Sequence, residues 1–361
     1  MSAPMGRLAR WLLVLALLPL AWTAPARAEA ELPESRGLPV VVRAALGFVQ
    51  VEAFDDAKGT FEATTDLRMT WHDGKQAFEA VQPGAYRHYR ASGADAALAQ
   101  AWSPQVRYIN RVGEPTFVEP RLKVFADGTV ELVVRTTATY KVPVDLVRFP
   151  FDRQGLVVQV AMKEATVEEV DLDFSEPDVE FSKASREAAL EGWRLGLVNL
   201  RRDLVSGGNG YRYPVFSATL EVRRVAAGTA ATIFIPLFAS LLIPFLATWM
   251  NRSNEGEFEV DAFELANVII GGLFAVIALN FSVGSAYPSI VASDNTVTRL
   301  IGLNYVALAV GLIITVVFYR YGLPRRWFGA YVQHEAFRFL TWAFPLVFVT
   351  TGLLFVLMAA A

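Results

Sequence analysis

The chain has 361 residues, a formal net charge of −3, no cysteine and three histidines. A near-neutral charge argues against a nucleic-acid binder, which needs a basic face. The missing thiols exclude disulfides, thiolate metal sites and a cysteine nucleophile. The mean hydropathy of +0.34 averages two unlike halves: most charges fall within about 30–225, and about 229–358 is largely apolar.

Residues 1–28 read as a signal peptide. Arg7 and Arg10 form the positive end, Trp11 to Trp22 the apolar stretch, and Ala26-Arg27-Ala28 a small-x-small cleavage site. An apolar run of about 12 residues is too short to cross a bilayer core.

Residues 29–225 read as strands. Phe61, Ala63, Thr65, Leu67, Met69 and Trp71 alternate with polar neighbours, and so do Phe216, Ala218, Leu220 and Val222. Leu156 to Val160 is a shorter strand. Asp127-Gly128 between two apolar runs signals a tight hairpin. Gly207-Gly208-Asn209-Gly210 reads as a hairpin tip. The pattern predicts an all-β, immunoglobulin-like extracellular sandwich.

Residues 226–361 predict an all-α four-helix transmembrane bundle, with helices at about 229–250, 262–285, 298–320 and 336–358. Arg320, Arg325, Arg326 and His334 sit between the third and fourth, so that loop is cytoplasmic. The exported N-terminal domain and the C-terminus then share the outer side of the membrane. The second segment is rich in small residues and keeps Asn267 and Asn280. Close helix packing with amide hydrogen bonds accounts for this as well as a water-lined path does. Glu255, Glu257, Glu259, Asp261 and Glu264 crowd its approach. They read either as a solvated loop or, repeated in a symmetric assembly, as a ring that concentrates cations. No HExxH, GxSxG or phosphate-cradling motif is present, so neither an enzyme nor a metal or other cofactor is expected.

Several motifs resemble one family. "FEATTDLRMTWHD" (61–73) is similar to its early strand with Trp-x-Asp, Trp102-Ser103-Pro104 to its Trp-x-Pro, and "ADGTVELVVRTTATYKVPVDLVRFPFDRQ" (126–154) to the strand pair entering its signature loop. Tyr213 to Arg224 is similar to its last strand, and Pro236 falls where its first membrane helix has proline. The family is the pentameric ligand-gated ion channels, the Cys-loop receptors, in their short prokaryotic form. Its bridging cysteines are replaced by Val142 and Leu156, its animal members' cytoplasmic domain is absent, and the linker between the first two spans is longer than in bacterial relatives.

The resemblance implies a homopentamer in membrane lipid, gated by a small molecule or by protons and passing ions through a pore lined by the second helix. It implies that Asn267, Gly271, Phe274, Ala278 and Phe281 face the axis, with Glu264 near the position that selects cations. It implies coupling through Phe149, Pro150, Asp152 and Arg224 to Tyr287 and Pro288, with Asp152 and Arg224 a buried pair. For the agonist it implies Tyr211, Tyr213 and Lys163 on one subunit and Asp66 and Arg68 on its neighbour. Lys163 disfavours a quaternary amine and leaves room for an acidic or zwitterionic ligand. For proton gating, only His72, His88 and His334 are of a type that titrates near neutrality unperturbed. An anion-conducting or weakly conducting receptor, and a sensor or adhesin without a pore, are the alternatives.

Overall fold

A computed structural model describes residues 32–33, 37–80, 82, 84–251, 253–254, 257–258 and 261–361. The expected signal peptide, Glu255 and Glu259 lie outside the described residues.

Among the described residues, ten strands form two facing sheets. β1 (Val40–Asp55), β2 (Thr60–His72), β3 (Tyr86–Arg90), β5 (Arg111–Phe125), β6 (Thr129–Lys141) and β8 (Val170–Asp173) make a six-stranded sheet in the order β3-β5-β6-β2-β1-β8. β4 (Val106–Tyr108), β7 (Arg153–Met162), β9 (Trp193–Ser206) and β10 (Arg212–Arg224) make a four-stranded sheet in the order β4-β7-β10-β9. The alternation read from the sequence is the reason. On β2 every residue from Phe61 to Trp71 that was expected inside is buried, with its neighbours half exposed. On β10, Phe216, Ala218, Leu220 and Val222 close the core from the other side. Val142 and Leu156 are both buried in it, so apolar packing occupies the place of a bridge.

The turn from β5 to β6 is built on the expected Asp-Gly pair. Asp127 Oδ1 accepts from Thr129 N at 2.9 Å. Gly128 has φ +84°, and a Cβ there would lie 2.7 Å from the Asp73 carbonyl oxygen, so both conformation and space require glycine. The Trp-x-Asp and Trp-x-Pro motifs meet here in space, the Trp71 and Trp102 rings standing edge to face at 5.9 Å.

Among the described residues, four helices are long and apolar enough to cross a membrane: α1 (Ala226–Trp249), α2 (Ala262–Ala286), α3 (Thr296–Ile314), extended by a π-helical turn through Arg320, and α4 (Ala330–Ala360). The last begins earlier than expected. His334 and Arg338 therefore lie on its first turns rather than at a loop and its edge, and Arg325 and Arg326 sit on a short helical turn, Leu323–Phe328. The long linker before α2 is not irregular throughout. Ser253–Asn254 pairs with Glu257–Phe258, and the Phe258 ring docks on Tyr319 at 4.5 Å and Phe337 at 5.1 Å.

Small residues set the helix spacing. A Cβ on Gly272 would come 2.7 Å from Ile243 Cγ2 and 2.9 Å from Leu308 Cδ2, whereas one on Gly271 would meet nothing within 4 Å. One buried polar knot ties α1 to α3: Ser240 Oγ donates to Asn304 Oδ1 at 2.6 Å, and Asn304 Nδ2 donates to the carbonyls of Leu237 and Leu300. In an apolar bundle such a knot works only because each group is paired.

Candidate functional site: the junction, the second helix and the outward sheet face

Three regions hold the residues singled out in the sequence. The first is the junction between sandwich and helices. β10 ends on Arg224 two residues before α1 begins, so its guanidinium is fixed at the boundary. Arg224 Nε donates to Asp152 Oδ1 at 2.7 Å, and Nη2 donates to Asp152 Oδ2 at 3.2 Å and to Asp56 Oδ2 at 2.9 Å. The ring of Trp193 lies under the guanidinium at 4.2 Å and that of Phe149 at 4.9 Å. Burial alone would lower the Arg224 pKa, but Asp152 and Asp56 outweigh it and raise it. Gln154 Nε2 donates to the remaining face of Asp152 at 2.8 Å.

The signature loop turns this polar knot toward the membrane half. Phe149 is fully buried, and its ring stands 5.9 Å from that of Tyr287, just after α2. Phe151 faces Phe234 of α1 at 6.2 Å. Pro150 is buried between them in sequence, while Pro288 is exposed and opens a helical turn, Pro288–Val291. Ser289 Oγ donates to Asp56 Oδ1 at 3.4 Å. Phe149, Asp152, Arg224 and Tyr287 therefore meet in one cluster, and Pro288 stands at its edge. Asp56, Trp193 and Ser289 were missed in the sequence. An acid pair at the tip of a turn, Asp55-Asp56, was the only available sign.

The second region is α2. Leu265, Ile269, Gly272, Val276 and Val283 pack inward. Glu264, Asn267, Gly271, Phe274, Ala278 and Phe281 all fall on the opposite, exposed face, with Phe274 67% and Phe281 77% exposed. Phe263, Ile270 and Ile277 share that exposure, so the open face is wider than one stripe. Asp261 has a local task as well as a charge: its Oδ1 accepts from Phe263 N at 2.8 Å and caps the helix. Two helices, α2 and α4, bury half as large a share of their apolar length as α1 and α3. Their exposed faces differ in kind. α4 shows Phe339, Trp342 and Leu346, all bulky and apolar, while α2 intersperses its phenylalanines with Asn267, Gly271 and Ala278.

The third region holds the residues expected around an agonist, and the single chain divides them. Tyr211 and Tyr213 lie at the hairpin between β9 and β10. Tyr211 is exposed, and Tyr213 Oη accepts from Asn209 Nδ2 at 2.8 Å across the tip. Lys163 follows β7 at the same end of the four-stranded sheet, open to solvent beside Glu164 at 3.4 Å. Asp66 and Arg68 stand elsewhere, on the outward face of the six-stranded sheet. Asp66 is held by Arg135 through two hydrogen bonds of 2.7 and 2.8 Å, and Arg135 is raised above its ordinary pKa chiefly by that hydrogen bonding. Arg68 donates to Asp178 at 2.8 Å and lies over the Phe181 ring at 4.2 Å. Both line an open cavity of about 400 Å³.

Residues 28–224 match the family model for the neurotransmitter-gated ion-channel ligand-binding domain. A proton-gated ion channel of Gloeobacter violaceus is 25% identical over 158 residues, covering 44% of this chain and 41% of that protein. The gamma-aminobutyric acid receptor subunit theta of Mus musculus is 22% identical over 226 residues, 62% of this chain and 34% of that subunit. The chain thus spans less than half the length of either relative in these matches. A ligand-binding-domain match over more than half of the sequence, on a sandwich that leads into four apolar helices, places this chain in the neurotransmitter-gated ion-channel family.

Proposed function

We propose that the chain is the subunit of a homopentameric, ligand- or proton-gated channel of a bacterial inner membrane, selective for cations. The sandwich and the C-terminus lie on the periplasmic side. An agonist bound between neighbouring sandwiches opens a pore lined by α2. The observation that supports this best is the contrast between the two open helix faces. The bulky apolar face of α4 suits lipid. The face of α2 places an amide and small residues among phenylalanines, a composition that suits other copies of itself and a hydrated axis.

In this reading Glu264, near the start of α2, sets charge selectivity, Asn267 lines a wetted stretch, and Phe274 and Phe281 close the path by dewetting. Movement of the sandwich passes through Phe149, Pro150 and the Asp152–Arg224 pair to Tyr287 and Pro288. Tyr211, Tyr213 and Lys163 would form the agonist site with Asp66 and Arg68 of the adjacent subunit.

The test is current across planar bilayers containing the purified chain, in asymmetric sodium chloride, under a pH ramp and a small-metabolite screen. Agonist- or acid-evoked current whose reversal follows the sodium gradient is expected. Reversal that follows chloride would overturn cation selectivity. No flux under any condition would overturn a conducting channel and leave the weakly conducting receptor, with Phe274 and Phe281 keeping the path shut.

A further inference from the structure

The outward face of the six-stranded sheet carries opposed basic side chains on β3 and β5. Across the β3–β5 ladder, Arg90 stands directly opposite Arg121, and His88 directly opposite Lys123. Like charges in direct cross-strand opposition destabilise a sheet; the Arg90–Arg121 rung is such a pair, and the next rung on the same face sets the imidazole of His88 against Lys123. The same rows continue inward: Arg121 pairs in register with Val133, and Val133 with Arg68. These residues line the cavity of about 400 Å³ on that face.

The neighbouring acids do not neutralise it. Lys123 is matched by Glu131 at 2.8 Å, Arg121 by Glu119 at 2.9 Å, and Arg68 by Asp178 at 2.8 Å. Asp66, the other acid in the lining, is taken by Arg135 at 2.7 Å. Arg90 and His88 have no carboxylate partner among the described residues. With these partners counted, Arg68, Arg90, Arg121, Lys123 and Arg135 stand against Asp66, Glu119, Glu131 and Asp178, which leaves Arg90 unmatched. The excess is positive even with His88 neutral.

Geometry narrows the ligand. The two rungs are two residues apart along the strands, a separation of about 7 Å. One compact anion cannot sit on both. A molecule with an anionic group at each end can, one end between Arg90 and Arg121 and the other at Lys123 and His88. Val133 and the ring of Phe181 supply apolar wall in the same cavity, which suits a carbon spacer better than a string of phosphates.

We infer that this cavity binds a small dicarboxylate, its ends held by the opposed Arg90–Arg121 and His88–Lys123 rungs and its carbon body against Val133 and Phe181. The inference deepens the reading of Asp66 and Arg68 as ligand-facing and rests on it, while placing the main anchors on β3 and β5.

The experiment is isothermal titration calorimetry and thermal unfolding of the full chain in detergent, with succinate as probe. Sodium chloride at matched ionic strength, pyrophosphate and choline serve as comparisons. Succinate is expected to bind and raise the unfolding midpoint beyond the salt control. Arg90→Gln, on an exposed edge strand that tolerates the change, is expected to weaken binding about tenfold through loss of a charge-assisted contact. The same variant without ligand should melt higher than the parent, because one repulsive rung is gone. Arg121→Gln should weaken succinate similarly. Pyrophosphate binding as tightly as succinate would overturn the assignment to dicarboxylates. Succinate heats and shifts no greater than those of sodium chloride, or unaffected by both variants, would overturn the site. Calorimetry needs no open pore, so absence of current with intact succinate binding counts against the channel reading alone. Agonist-evoked current without succinate binding counts against this inference alone.

Discussion

The junction and the outward sheet face use arginine in opposite ways. At the junction Arg224 is enclosed: two carboxylates and two aromatic faces surround its guanidinium, and its backbone N–H donates to the Asp152 carbonyl. On the sheet face Arg90 stands exposed against another arginine, with no carboxylate of its own among the described residues. A saturated buried charge is costly to disturb and transmits position, because moving any partner uncovers an ion. An unsaturated exposed charge costs the fold little and keeps its binding capacity for something outside the chain. The same division separates the two faces of α2, whose inward side is closed by packing and whose outward side is open.

The largest effect should come from breaking the saturated site. Arg224→Ala leaves Asp152, 1% exposed, without its counter-charge, and removing one partner of a buried pair costs about 3–5 kcal/mol. We expect loss of the assembled species on size exclusion, or assembled protein without evoked current. Arg224→Lys retains charge but not the fork that reaches both Asp152 and Asp56, and should assemble with impaired gating. Normal currents from both variants would remove the junction from the coupling path.

A smaller effect distinguishes two adjacent glycines. Gly272→Ala forces a methyl against Ile243 and Leu308, and overpacking of this kind costs about 1–3 kcal/mol. Gly271→Ala points into open space and should leave the melting temperature unchanged. If α2 lines the pore, only Gly271→Ala should change unitary conductance while preserving stability. Equal destabilisation by both would mean that the open face is packed in the assembly.

How much of this was legible in the sequence follows from range. Alternation on β2 and β10 is a local property, so strands and their inward faces could be read directly. The four helices declared themselves by length and apolarity. The Asp152–Arg224 pair, 72 residues apart, was reached only through resemblance, and the third partner Asp56, 168 residues from Arg224, was not reached at all. The acid pair Asp55-Asp56 in a turn does not say what will fold onto it. The opposed rungs of β3 and β5 were hidden for the same reason: Arg90 and Arg121 are unremarkable until register sets them face to face. The early start of α4 was missed because polar residues such as Gln333, His334 and Glu335 look like loop, yet Gln333 is buried there against the turn that precedes the helix.

The mildest prediction concerns acid and bears on the ion pair that closes one side of the sheet-face cavity. Burial by itself would raise the Asp178 carboxyl, but hydrogen bonds from Ser175 and Arg68 outweigh it and hold its pKa below the ordinary value. A carboxyl lowered on folding contributes stability that is complete above its unfolded value, about 3.9, and is lost as pH falls through the folded value. Stability from this pair should therefore be flat from neutrality down to about pH 4 and decline only below it. Arg68→Gln should melt lower than the parent at pH 7, and the two should converge as the solution is acidified toward pH 3. A constant offset between their melting curves at every pH would show that Arg68 acts through its packing on Phe181 rather than through Asp178. Convergence already complete at pH 6 would make the pair a sensor of mild acid, a role its lowered carboxyl argues against.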